Sequence, residues 1–294
     1  MTHDHRHDNS DNETRVFWAM VLTGGFMVVE VIGGIFTGSL ALLADAGHML
    51  TDTAALALAW MAFRIGRRSP DPRRSYGYHR FQVLAAFVNG VTLITIVGWI
   101  LIEAVRRLVA PTEILGGMML AVATAGLVVN IVAFVILHGG NRENLNIHGA
   151  ALHVLGDLLG SVAAIVAAGI ILWSGWTPID PLLSLLVAAL IARSAWMLVE
   201  KSAHILLEGT PDWLDVAKLR VELTEAVPDV EDIHHVHAWS LTVERPLVTL
   251  HAKVRFGADY GKTLDAITGF LETAYGISHA TVQLEPGRCP DEPQ

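Results

Sequence analysis

Residues 39–65 read SLALLADAGHMLTDTAALALAWMAFRI. The stretch is long enough to cross a bilayer core, which takes about 20 apolar residues of helix. Its middle nevertheless holds Asp45, His48 and Asp52. Ionisable groups at membrane depth are costly and usually serve a function. His48 and Asp52 stand four apart, so on a helix they project from one face, and Asp45, three before His48, shares that face. For a single HxxxD the plainer alternative is a polar pair satisfied by neighbouring helices. The spacing recurs, however, in a second apolar stretch as His153-Val-Leu-Gly-Asp157. Two copies in two spans favour one shared site.

Working outward, six stretches are expected to span the membrane, roughly 16–36, 39–65, 81–109, 114–137, 149–173 and 178–200, separated by Gly, Pro and Arg-rich breaks. The bulk composition agrees. The chain is 52% hydrophobic, has a mean hydropathy of +0.46 and is only 17% charged, where soluble domains average roughly 25%. Basic residues in short loops mark the cytosolic side. The loop between spans two and three holds Arg64, Arg67, Arg68, Arg73, Arg74 and Arg80, and the next loop on that side adds Arg142, against Arg106 and Arg107 opposite. Both termini are therefore expected in the cytosol. A net charge of -9 argues against a nucleic-acid partner. The single cysteine, Cys289, excludes a disulfide within one chain and suits a reducing compartment. The polar, acidic start does not read as a signal peptide.

After residue 201 the pattern changes. An amphipathic segment over 213–227, β-like runs over 232–243 and 247–256, a helical segment over 262–275 and a last strand over 280–285 predict the order αββαβ. In the second strand Val248, Leu250, Ala252 and Val254 alternate with Thr249, His251 and Lys253, the period of a half-buried sheet. The expected fold is thus an α-helical membrane protein of six transmembrane helices followed by a small cytosolic α+β domain. Its divisions are a flexible His-containing tail at 1–15, a membrane domain at 16–201 and the cytosolic domain at 202–294. His3, His5 and His7 in the tail could hold zinc loosely near an entry.

If the two HxxxD spans face each other, two imidazoles and two carboxylates converge. With neutral histidines the set carries -2, which balances a divalent cation. Mixed nitrogen and oxygen donors in fourfold arrangement suit zinc, whereas magnesium and calcium want six or more oxygens. Zinc must displace protons from such ligands, and histidine changes charge near neutrality. A site opening alternately to each side would then exchange zinc for protons. Glu30, Asn89 and Asn130 are also intramembrane, either lining a wet cavity or bridging helices.

Several runs resemble the cation diffusion facilitators. Residues 38–52, from Gly38 through Asp45 and His48 to Asp52, resemble that family's second span. Tyr76-Gly-Tyr-His79-Arg80-Phe resembles its loop before span three, His153-Val-Leu-Gly-Asp157 its fifth span, and His237-Ala-Trp239-Ser-Leu its cytosolic domain. The resemblance implies a homodimer of six-helix protomers exporting cytosolic zinc for protons, with a metallochaperone-like cytosolic domain; the cell inner membrane is the simplest location. It puts the transport ligands at His48, Asp52, His153 and Asp157, and His48 favours zinc over a broader set of metals. It also implies a cytosolic-domain metal site at His234, His251 and Glu285, where solvent-facing strand residues are the alternative; His235 and His237 are read as structural. This chain departs from the family at Gln82, where a glutamate is usual and a charged contact is expected to be missing. In residues 71–78 arginines stand where some members place an interfacial metal site, and His79 is left as a lone candidate ligand. Rival readings are a broader divalent-metal exporter, a membrane metalloenzyme, a passive channel and a sensor. Four ligands from two spans leave no open coordination position for an enzyme, and a channel should bind its ion weakly.

Overall fold

The computed structural model describes residues 5–50, 53–54, 71–138, 145–287 and 289. It divides into two units, residues 1–61 with 88–199 and residues 62–87 with 200–294.

The first unit is helical. Its elements are α1 (His5–Thr37), α2 (Leu40–Leu50), α3 (Arg80–Val109), α4 (Gly116–His138), α5 (Leu145–Ser174) and α6 (Ile179–Leu206); α3 begins and α6 ends in the second unit. Among the described residues α1, α3, α4, α5 and α6 are long and apolar enough to cross a membrane, which makes the chain a multi-pass membrane protein. α2 is a shorter apolar helix as described. α1 begins at His5 rather than near residue 16, so the backbone of 5–15 is helical where a flexible tail was expected.

The helices pack closely because small residues let them. α4 lies along both α1 and α5. A Cβ on Gly33 of α1 would stand 2.9 Å from Val122 of α4, the small-residue contact common between membrane helices. α2 is wedged between two apolar clusters. Leu40 and Ala44 pack with Leu93, Val97 and Ile100 of α3 and Ala188 of α6. Ala41 and Leu42 pack with Met119 of α4 and Ala164 and Ala168 of α5. Gly38, at φ +70°, makes the turn that separates α2 from α1.

The second unit follows the expected order: α7 (Val216–Ala226), β1 (Val230–Ser240), β2 (Pro246–Val254), α8 (Tyr260–Tyr275) and β3 (His279–Glu285). Asp215 caps α7 through the amides of Ala217 and Lys218, and Asp259 caps α8 through Lys262. The sheet order is β1-β2-β3. β1 and β2 are antiparallel; β2 and β3 are parallel and need the crossover that α8 supplies. One face of the sheet, with Ile233, Val248, Leu250 and Ala252, buries against Leu219, Leu223, Ile267 and Leu271 of the helices. By strand alternation His234 and His251 fall on the other face.

This unit also takes in the segment before α3. Arg80 pairs with Glu208 at 3.0 Å, Arg245 Nη1 donates to His79 Nε2 at 2.8 Å, and the rings of Tyr76 and His279 meet edge to face at 5.9 Å.

Candidate metal centres

In the membrane unit, His48 of α2 and Asp157 of α5 come together, Nε2 to Oδ1 at 3.8 Å. A nitrogen and an oxygen bound to one tetrahedral zinc at roughly 2.0–2.2 Å would stand about 3.4 Å apart, so the pair is close to ligating separation. Asp157 is buried and His48 half-buried. Asp45 is buried on the same side of α2: a Cβ on Gly160 of α5 would stand 3.1 Å from its Oδ1. Glycine one turn beyond Asp157 is what lets the two helices approach. All of Asp52 and the side chain of His153 lie outside the described residues.

Asn130, Ser161 and Glu30 are also buried in this unit. Asn130 of α4 donates to Ser161 Oγ of α5 at 3.2 Å, so it bridges helices. Glu30 of α1 is 1% exposed and its Oε1 lies against Gly126 of α4. Glu30 Oε2 and Asn130 Oδ1 have no hydrogen-bond partner among the described residues.

The second cluster is built on the sheet. β1 and β2 place His234 opposite His251, and β3 ends at Glu285 beside them. His251 Nδ1 is 3.0 Å from Glu285 Oε1 and His234 Nε2 is 3.1 Å from Oε2. Asp232 holds the other nitrogen of His234 at 3.0 Å, the outer contact that fixes ring and tautomer in metal-ligating histidines. His235 lies in the bulge of β1 with φ +48° and stacks on His251, centroids 5.0 Å apart. Burial pushes the Glu285 carboxyl up, but hydrogen bonds with Gln283 and Cys289 and the neighbouring His234 and His251 outweigh it and hold the group below its ordinary range.

Cys289 is the residue sequence reasoning missed. The chain bends at Pro286 and Gly287 and returns its thiol to 3.5 Å from His251 Nδ1. One ligand atom each from His234, His251, Glu285 and Cys289 all lie within 4.8 Å of one another. Two imidazoles, a carboxylate and a thiolate make a tetrahedral set that suits zinc, again with a formal charge of -2. The signal in the sequence was thin: a cysteine four residues after an acidic strand end.

Other candidates have other employment. His79 accepts from Arg245 at Nε2, and burial followed by the Arg245 charge lowers its pKa. Asp71 accepts from Tyr78 Oη at 2.7 Å and from the amides of Arg73 and Arg74. The Tyr78 bond, then that of Arg73, holds its carboxyl below the ordinary range.

Residues 16–207 match the cation efflux transmembrane domain, and residues 211–287 match the cation efflux protein cytoplasmic domain. The zinc transporter ZitB of Pectobacterium atrosepticum is 53% identical over 293 residues, 99% of this chain and 91% of its own. The cadmium, cobalt and zinc/H(+)-K(+) antiporter of Bacillus velezensis is 39% identical over 290 residues, 97% of this chain and 92% of its own. A solved metal-bound C-terminal domain of the CzcD transporter is 26% identical, covering 24% of this chain and 99% of that one at a TM-score of 0.23. With both of its domain models matched and relatives alike over nearly its whole length, the chain belongs to the cation efflux, or cation diffusion facilitator, family.

Proposed function

We propose that this protein exports zinc from the cytosol in exchange for protons, carrying the ion on His48, Asp52, His153 and Asp157. It is a transporter and not an enzyme. The observation that carries the reading is the approach of His48 to Asp157 across α2 and α5, the outer members of two HxxxD pairs. The match to ZitB zinc transporters over nearly the whole chain supports zinc as the substrate, and the relatives named as proton antiporters support the exchange. Protons and zinc compete because every ligand binds either. α2 continues as a sixth span, both termini lie in the cytosol, and the protein works in the bacterial inner membrane, surrounded by lipid, as a homodimer held by its cytoplasmic domain. His234, His251, Glu285 and Cys289 hold a regulatory zinc that senses the cytosolic metal level.

The second reading, a broader exporter of zinc, cadmium and cobalt, has support in the substrate names of the Bacillus relatives. His48 weighs toward zinc. The test is metal uptake into sealed proteoliposomes under an imposed pH gradient. Zinc uptake that rises with the gradient, and exceeds cadmium uptake, is expected. Uptake indifferent to the gradient ends the exchange claim, and equal uptake of the three metals ends the zinc preference.

A further inference from the structure

The turn between α1 and α2 is pinned by side chains from two other helices. Asp180, in the first turn of α6, is fully buried. Its carboxylate accepts from Ser39 Oγ at 2.5 Å, from the Leu40 amide at 2.7 Å and from the Ala41 amide at 3.2 Å. Arg107, near the end of α3, donates to the Gly38 carbonyl and is itself held by Glu103 at 3.0 Å. A negative group thus meets the first free amides of α2, as a helix start favours, and a positive group meets the carbonyl just past the end of α1, as a helix end favours.

Capping alone does not account for this. Ser39 already sits where a local cap belongs, and its hydroxyl accepts from the Leu42 amide at 3.3 Å. The second cap comes from 140 residues away in sequence. The apolar packing of Leu40, Ala41, Leu42 and Ala44 holds α2 sideways but is non-directional. The carboxylate bonds are directional, and they set where α2 begins and along which line it runs.

We infer that Asp180 is a positioning residue for the transport site, acting through α2 on Asp45 and His48. The inference rests on the reading of His48 and Asp157 as transport ligands. His48 lies eight residues past Leu40, roughly 12 Å along a helix. A tilt of about 5° at the pinned end moves the imidazole by about 1 Å, against a tolerance of about 0.2 Å in a metal–ligand distance. Asparagine does not substitute, because its amide nitrogen would turn donors toward the donors of α2.

The test uses the full chain, purified, with His251→Ala added only where affinity is measured, to silence the cytosolic cluster; flux is measured with that cluster intact. Zinc affinity is read by chelator competition and flux in proteoliposomes, both per folded protein, for Asp180→Asn, Ser39→Ala and His48→Ala. Asp180→Asn is expected to weaken zinc binding about tenfold or more, the loss typical of an outer contact that orients ligands, with flux falling alongside. Ser39→Ala, which removes one of the three bonds, is expected to give a smaller loss in the same direction. A purely structural role would lower the folded yield or the melting temperature and leave affinity and flux per folded protein at the parent value; that result overturns the inference. Should Asp180→Asn not fold, Ser39→Ala decides on the same readout. Zinc binding retained in His48→Ala overturns the ligand assignment and the inference with it. Binding lost in His48→Ala but unchanged in Asp180→Asn overturns the inference alone.

Discussion

In the membrane unit helix faces bring His48 to Asp157; in the C-terminal unit a sheet brings His234 and His251 to Glu285. In the proposed reading both hold two imidazoles and the same formal charge. The proposed helical site draws its ligands in HxxxD pairs, so a shift of α2 against α5 would move two ligands at once with no backbone hydrogen bond to break. The sheet cluster takes one ligand from each of β1, β2 and β3, joined by their ladders, and adds the Cys289 thiol. It cannot open without parting strands, and a thiolate grips zinc more firmly than a carboxylate does. On the proposed reading, the difference teaches how one protein can both carry an ion and keep one: the carried ion gets separable, oxygen-bearing halves, and the kept ion gets a rigid floor and sulfur.

The sharpest way to break that contrast is Asp157→Ala. It leaves a divalent ion uncompensated at membrane depth, at a cost of about 3 kcal/mol, so zinc flux in proteoliposomes should fall on the order of a hundredfold. Binding at the cytosolic cluster, measured by chelator competition on the same sample, should stay. Equal flux in parent and variant would remove the membrane half of the comparison.

Cys289→Ser should act on the other half. Affinity at the cytosolic cluster is expected to drop roughly tenfold to a hundredfold as sulfur gives way to a neutral hydroxyl. The zinc level at which flux switches on should rise by the same factor, with maximal flux in place. An unchanged affinity would return the site to the three residues legible from the sequence.

The smallest effect concerns Glu285. Its folded pKa is depressed, so its contribution to stability is present above the ordinary carboxylate value of about 4.3 and is lost as pH falls through the lower folded value. In chelator-treated protein, Glu285→Gln should lower the unfolding midpoint of the C-terminal domain at pH 7. The hydrogen bonds at stake are worth about 1 kcal/mol, roughly 4–8 °C for a domain of this size. The gap should close below about pH 4, and a gap independent of pH would show that the ionised carboxylate is not its source.

The sequence made the periodic features plain. The apolar stretches, both HxxxD spacings and the αββαβ order could be read because each is set within a few residues of itself. His234, His251 and Glu285 entered through family likeness, and strand alternation agreed. What stayed hidden depends on distant parts of the chain meeting. Asp180 reads as an ordinary acidic residue at a helix start until α2 is found on its carboxylate. His79 reads as a spare ligand until Arg245 is found at its nitrogen. Cys289 reads as a stray thiol because the bend at 286–287 that returns it to His251 has no period to announce it.

The sheet cluster has one more consequence. Since β1, β2 and β3 each give it a ligand, an ion held there is a crossbar over the whole sheet, and every opening that separates two of those strands must first release it. The domain's resistance to opening then grows with the logarithm of free zinc, by about 2.7 kcal/mol when the metal stands at a hundred times its dissociation constant. Amide hydrogen exchange in β2, the central strand, would read that quantity directly. The domain becomes a gauge whose rigidity is its dial.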